Sequence, residues 1–333
     1  MCRAGLSDPV PAAPVDTIVD MLHVTNRALH FAGFGGLDKL SLVTAQRPEP
    51  GPDQIRVRVA VAGLNPVDWQ ILASPALAAY FGVRPPCGYG NDFAGTVDAV
   101  GTDVTNWQVG DRVFGGARAR AAADYFLAQA DDPRILATPP GVSDLVAGVI
   151  DIVGRTASAV ADRLRLSPDD TVLIGSAAGG VGTVLTQLAV ASGARVLGSG
   201  SADSAEVIAA LGAEPVRYGP DLVPDVRRLT PSGITAAADL HGVAAATAAL
   251  ELGAAPGRVA TIEADEPPMG AVAVNGRDAR PDALSELLGL VASGRLRIPV
   301  EQTYPLADYR IAIERQQQRH TRGKLALLTG GTE

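Results

Sequence analysis

The stretch Thr171-Val-Leu-Ile-Gly-Ser-Ala-Ala-Gly-Gly-Val-Gly-Thr183 leaves the chain few ways to fold locally. An apolar, β-branched run enters a turn of small residues, and the turn opens onto a helix-like segment from Val184 to Ala191. Residues Ala177 to Gly182 follow the G-x-G-x-x-G pattern, with alanine in place of the first glycine. The small residues meet three needs in turn, namely a tight turn, close approach of backbone to a pyrophosphate, and close helix–strand packing. The free N–H groups and dipole of a helix N-terminus favour an anion there. A glycine-rich turn kept for steric reasons alone is the other reading. A second apolar strand at Ala194–Gly198 follows at the spacing of a βαβ unit and favours the first.

Around this unit, strands and helices alternate. The pattern predicts strands at 171–175, 194–198, 215–218, 235–239 and 258–262, and helices at 154–165, 182–192, 203–211 and 243–252. Such alternation implies a parallel sheet covered on both faces. The region before it reads differently. Ile55–Val61 and Gly95–Val100 alternate with period two, and Pro48–Pro52 and Pro85-Pro86 punctuate a mostly β domain. After Gly270 the pattern predicts a strand at 271–274, a helix at 282–293, an extended piece at 298–304, a helix at 306–318 and a strand at 324–328.

Composition limits what such a chain does. It has 333 residues, 47% of them hydrophobic, and a net charge of −8, which argues against a broad nucleic-acid surface. No apolar run reaches the ~20 residues of a membrane span. Two cysteines, Cys2 and Cys87, make no disulfide framework, and four scattered histidines form no H-x-x-x-H pair. The start of the chain lacks a basic stretch followed by an apolar one, so a cytoplasmic location is expected. Residues 1–26 read as a flexible extension.

Four segments together resemble the medium-chain dehydrogenase/reductase superfamily, in its zinc-free quinone-oxidoreductase branch. They are Ala62-Gly-Leu-Asn-Pro-Val-Asp-Trp69, then Gly90-Asn-Asp-Phe-Ala-Gly95 with Val109-Gly-Asp-Arg-Val-Phe114, the turn at 175–182, and His320-Thr-Arg-Gly-Lys324. The resemblance implies an α/β fold: a GroES-like β-rich catalytic domain (27–149 and 265–333) and an inserted Rossmann doubly wound parallel-sheet cofactor domain (150–264). The active site would lie between them, and a homodimer would form through the sheet edge supplied by Gly257–Val274. Zinc ligands of related enzymes fall at Asn65, Asn91 and near Ile152, none a good zinc donor, so the metal site is expected to be absent.

The implied cofactor is NADPH in preference to NADH. No acid ends the second strand to bind a ribose 2′-OH. Ser199 and Ser201 instead offer donors to a 2′-phosphate, or else cap the next helix. Tyr218 would lie over that phosphate, with Arg217 the nearest cation, since the helix at 203–211 carries none. Ala177, Gly179, Gly180, Val181, Gly182, Thr156 and Lys324 complete the expected cofactor contacts.

The implied chemistry is hydride transfer to a quinone or α,β-unsaturated carbonyl. The candidate catalytic residues are Asn65, Tyr89, Asp151 and Arg155. Asn65 either donates into the cleft or caps a turn ahead of Pro66. Asp151 and Arg155, four residues apart, form an intrahelical surface pair, or Arg155 binds a substrate carboxylate or oxyanion with Tyr89 as proton donor. Two alternatives stay open: a pathway-specific tailoring enzyme (reductase or cyclase) on a natural-product intermediate, and a cofactor-binding protein without turnover.

Overall fold

The computed structural model describes residues 25–263 and 266–329. The chain begins with eight strands of the β-rich domain: β1 (Thr25–Phe31), β2 (Leu40–Gln46), β3 (Gln54–Leu64), β4 (Cys87–Gly88), β5 (Asp92–Val100), β6 (Arg112–Gly116), β7 (Tyr125–Gln129) and β8 (Ile135–Ala137). Six parallel strands follow: β9 (Thr171–Ile174), β10 (Arg195–Gly200), β11 (Glu214–Arg217), β12 (Ala236–Asp239), β13 (Val259–Thr261) and β14 (Val272–Ala273). The chain then returns with β15 (Val300–Pro305) and β16 (Lys324–Leu328).

The parallel strands lie in the order β11-β10-β9-β12-β13-β14. This is the doubly wound order in which the chain reverses direction between β9 and β12, and a crevice opens beyond the carboxyl ends of those two strands. Strands read from the sequence are all present, with ends moved by one or two residues. Alanines fill much of this core. Ala236, Ala237 and Ala238 of β12 are fully buried, and small side chains let the helices approach the sheet closely.

The β-rich domain holds a sheet ordered β15-β16-β3-β5-β6-β8, with β7 added along β3, and a smaller sheet ordered β2-β1-β4. Its core includes Phe31, Phe93 and Phe126, the last two ring-to-edge with centroids 4.8 Å apart. Because β16 pairs with β3, the C-terminal strand completes a sheet begun near the start of the chain.

Two boundaries and one helix differ from the sequence reading. Thr25 and Asn26 pair with Gln46 and Ala45 within β1, so the extension does not reach residue 26; residues 1–24 lie outside the described residues, Cys2 among them. The return to the β-rich domain comes later than residue 265. β14 still pairs with β13, and Leu284 and Leu287 of the following helix pack in the core of the inserted domain. A further helix, Leu222–Leu229, escapes the sequence pattern because Pro224 looks like a breaker; in the first turn its missing N–H is not needed. Among the described residues, no helix is long and apolar enough to cross a membrane.

Candidate active-site cleft

A cleft of about 1170 Å³ runs between the two domains. Its floor is the start of the helix Asp151–Leu164, one wall is the glycine turn, and the other is formed by Pro66–Ala73 and the segment around Tyr80 and Phe81.

The glycine turn is shaped by close contacts. A side chain on Gly182 would press on the Ser176 carbonyl and lie 2.7 Å from that of Ala177, so only glycine lets the helix start this close to the turn. Ala177 is fully buried; its N–H donates to the Ser199 carbonyl (3.0 Å), and its methyl occupies the space that a side chain on Gly198 would need. Alanine therefore replaces the first glycine without blocking the turn, because Gly198 makes the room. The helix Gly180–Ala191 starts at Gly179 with no side-chain cap. Its first N–H groups have no intrahelical acceptor, and Gly179, Gly180, Val181 and Gly182 all line the cleft. An uncapped helix N-terminus in a small-residue cradle fits a dinucleotide pyrophosphate.

On the floor, residues far apart in sequence form one buried polar network. Lys324, 3% exposed, donates through Nζ to the Leu64 carbonyl (2.8 Å) and to Asn65 Oδ1. It also lies 3.7 Å from Asp92 Oδ2. Asp68 Oδ2 accepts from the Asn65 backbone N–H (2.8 Å). Asp92 Oδ1 accepts from Asn91 Nδ2 and from the Ile152 N–H, and Asn91 Nδ2 donates also to Asp151 Oδ2 (2.9 Å). Burial drives the ionisations. The Asp68 carboxyl is pushed up to about 7 by desolvation and by Asp92, Asp92 up to about 6 by desolvation, and the Lys324 ammonium is pushed down by the same burial.

This network orients Asn65. An ammonium only donates, so the amide must turn its oxygen to Lys324 and its Nδ2 away. That Nδ2 is buried without a close hydrogen-bond partner among the described residues, with the Asp68 and Asp92 carboxyls beside it, and Asn65 lines the cleft. Of its two sequence readings the structure shows the first: Asn65 precedes the helix Pro66–Ala73 as its cap residue.

Asp151 and Arg155 are likewise paired and in the cleft at once. Arg155 Nε donates to Asp151 Oδ1 at 2.9 Å, with side chains only 21% and 8% exposed. A carboxylate in the first turn of a helix also gains from the dipole, which helps a charge stay buried there. The expectation of a surface pair is thus corrected to a half-buried pair facing the cleft. Thr156 lines the cleft too, with its hydroxyl donating to the Ile152 carbonyl (2.7 Å).

The structure does not bring every candidate to the cleft. Tyr89 is buried at 2% exposure, and its hydroxyl, unpartnered among the described residues, faces a small cavity behind Asn91 and Ile152. Desolvation and the neighbouring Asp68 raise its phenol well above the ordinary value. A proton donor in the cleft is therefore not its place. Ser199 is buried within β10, and Ser201 Oγ donates to Ser204 Oγ. Tyr218 is 59% exposed beside them, its N–H on the Gly200 carbonyl.

Several cleft residues give no signal in the sequence. Arg118, Arg134, Arg277 and Arg319 come from four separate segments and converge only through the fold. Arg319 pairs with Glu263 at 3.2 Å, and Glu263 also meets His241. Arg322 donates to the Asp203 carbonyl (3.3 Å), which places a cation beside the loop after β10. The sequence pattern points to Arg217 for that cation instead.

Comparison with known proteins agrees with this geometry. Residues 51–158 match the alcohol dehydrogenase GroES-like domain family, and residues 211–327 match the zinc-binding dehydrogenase family. The solved quinone oxidoreductase of Coxiella burnetii is 26% identical, superposes with a TM-score of 0.79, and is covered over 100% of its length by 92% of this chain. The chain belongs to the medium-chain dehydrogenase/reductase superfamily, in its quinone-oxidoreductase-like branch. The Escherichia coli quinone oxidoreductase, solved in complex with NADPH, is similar to this branch member as well: 25% identity, TM-score 0.77, covering 91% of this chain and 99% of that one. The phthioceranic/hydroxyphthioceranic acid synthase of Mycobacterium tuberculosis is 31% identical over 96% of this chain. The chain spans 16% of that synthase's length.

Proposed function

We propose that the chain is an NADPH-dependent reductase of quinones or α,β-unsaturated carbonyls that works without zinc. The observation that carries this reading is the uncapped helix N-terminus of the glycine turn, which opens onto the same cleft that Asn65, Thr156 and Lys324 line. The turn would hold the coenzyme's pyrophosphate, and Thr156 stands at the floor where the reactive ring would reach. When bound, the coenzyme supplies a hydride to the electron-poor carbon of the acceptor and is itself oxidised. As hydride adds, the conjugated oxygen gains negative charge. The Asn65 amide, held by Lys324, is a preorganised donor for that oxygen. A proton taken up from water or the buried network completes the reduction.

The donor set argues for zinc-independence. Asn65 and Asn91 spend their side chains on Lys324 and on Asp92 and Asp151, and Ile152 offers no ligand atom. Arg322 beside Asp203, with Ser201 and Tyr218 close by, supports a 2′-phosphate and hence NADPH over NADH.

A fluorescence titration with NADPH and NADH, followed by 1,4-quinone and enone acceptors, tests the reading. Preferential NADPH binding with oxidation on adding acceptor supports it; binding without oxidation by any acceptor refutes it in favour of a cofactor-binding protein. The match to a mycobacterial acid synthase supports a second reading, a pathway-specific reductase acting on an enoyl intermediate. Turnover of a long-chain enoyl thioester but not of simple quinones would decide for that reading. We further propose a cytoplasmic homodimer joined through the free edge of β14, to be tested by size-exclusion chromatography with light scattering.

A further inference from the structure

The wall of the cleft opposite the glycine turn carries two arginines stacked on aromatic rings. The guanidinium carbon of Arg118 lies 4.7 Å from the centre of the Phe81 ring. That of Arg277 lies 4.4 Å from the Tyr80 ring centre and 5.1 Å from that of Phe81. Each has a single backbone acceptor: Phe81 O for Arg118 at 3.5 Å, and Tyr80 O for Arg277 at 3.3 Å. Neither has a carboxylate partner among the described residues. Every other arginine that lines the cleft has one: Arg155 with Asp151, Arg134 with Asp132 and Arg319 with Glu263.

Two like charges without a directly paired carboxylate repel each other. Burial and the positive charges of Arg134 and Arg277 pull the Arg118 guanidinium below its usual value, with Asp151 and Asp68 opposing them in part. The cleft is lined by Arg118, Arg134, Arg155, Arg277, Arg319 and Lys324; Asp132, Asp151, Glu263 and Asp92 lie against four of these, and Arg118 and Arg277 are the two left over, in a chain whose net charge is −8. A cationic cleft in an acidic protein draws anions in. Each guanidinium held against a ring spends one N–H on a backbone carbonyl and keeps its remaining N–H groups for a carboxylate, which an arginine binds through charge-assisted hydrogen bonds.

We propose that Arg118 and Arg277 form a subsite for a carboxylate on the acceptor, so that the enzyme prefers enones that carry a negative charge. The inference rests on the reductase reading for the identity of the ligand's reactive end. The arginines select among acceptors; Asn65 and the coenzyme act on the one selected.

The test compares trans-3-benzoylacrylate with its methyl ester. The ester is the more electron-poor alkene, so intrinsic reactivity favours it. A wild-type kcat/KM at least tenfold higher for the carboxylate is expected, with this ratio falling at least tenfold in Arg118→Gln/Arg277→Gln and partly kept in the double lysine variant. Should the double variant fail to fold, Arg277→Gln alone serves, because Arg277 is exposed. A second readout needs no turnover: quenching of Trp69, which lines the cleft, by saturated 3-benzoylpropionate. Quenching by the acid but not its ester, lost in the variant, supports the subsite even if no acceptor is reduced. An absent carboxylate preference, a ratio unchanged by the substitutions, or a variant that weakens only NADPH binding overturns it.

Discussion

Lys324 donates its ammonium hydrogen to the side-chain oxygen of Asn65, 259 positions earlier in the chain. This bond sets the orientation of the Asn65 amide, its oxygen toward Lys324 and its Nδ2 away from it. Asn65→Asp keeps an oxygen for Lys324 and loses the free donor, whereas Asn65→Ala loses both. Both variants are expected to lower kcat with an enone on the order of a hundredfold, with NADPH affinity kept within a few fold. Steady-state kinetics with separate titration of the coenzyme checks this, and an unaltered kcat in Asn65→Asp would remove Asn65 from the mechanism.

Asp68 makes the stability of the fold depend on pH. Its carboxyl is raised to about 7, so between the ordinary carboxylate range and pH 7 the folded state holds a proton that the unfolded chain has lost. Stability from this group is therefore present at low pH and declines as pH rises through 7. Asp68→Asn removes the ionisation. Relative to wild type, the variant should gain on the order of 2 kcal/mol between pH 5 and pH 8. Urea unfolding at the two pH values measures the gain, and a difference that is flat with pH would contradict it.

Gly182 and Gly179 sit three residues apart and should respond differently to alanine. A methyl on Gly182 has the Ser176 and Ala177 carbonyls in its way, and overpacking of this kind costs roughly 3 kcal/mol. At Gly179 the nearest atom is the Ser176 carbonyl at 3.3 Å and the backbone is extended, so Gly179→Ala should fold normally while weakening NADPH binding. Thermal unfolding and coenzyme titration on both variants separate the two effects.

Arg322→Ala should raise the dissociation constant of NADPH about tenfold, the loss of ~1.4 kcal/mol, and leave that of NADH within twofold. Equal effects on both coenzymes would assign Arg322 to the fold through Glu301, with which it also pairs at 3.6 Å.

Much of this architecture is legible in the residues alone. The β9 unit with its glycine turn is readable because a strand, a run of small residues and a helix leave a local, periodic trace. β16 is readable to its ends, since Lys324–Leu328 is a short apolar run bounded by Gly323 and Thr329. The failures have a common origin. The helix Leu222–Leu229 is hidden by Pro224, whose effect depends on its position within the helix. Arg118 and Arg277 are invisible because nothing in their spacing says that they meet a cleft, and Arg322 because nothing in its spacing says that it meets the loop after β10. Tyr89 is misplaced toward the cleft for the reverse reason: adjacency in sequence to Gly90 and Asn91 says nothing about which side of a wall a ring occupies.

Gly179 and Gly323 form a short parallel bridge, reinforced by the Gly323 N–H on the Ala178 carbonyl at 2.8 Å. This stitch fastens the glycine turn of one domain to the strand that carries Lys324 in the other. Any gaping of the two halves that spares it must swing around that point, like covers about a spine. The rim at Tyr80 and Arg277 would then travel furthest, while the pyrophosphate cradle and the Asn65 amide keep their separation. Such a motion would open the rim while the glycine turn and the strand of Lys324 stay joined.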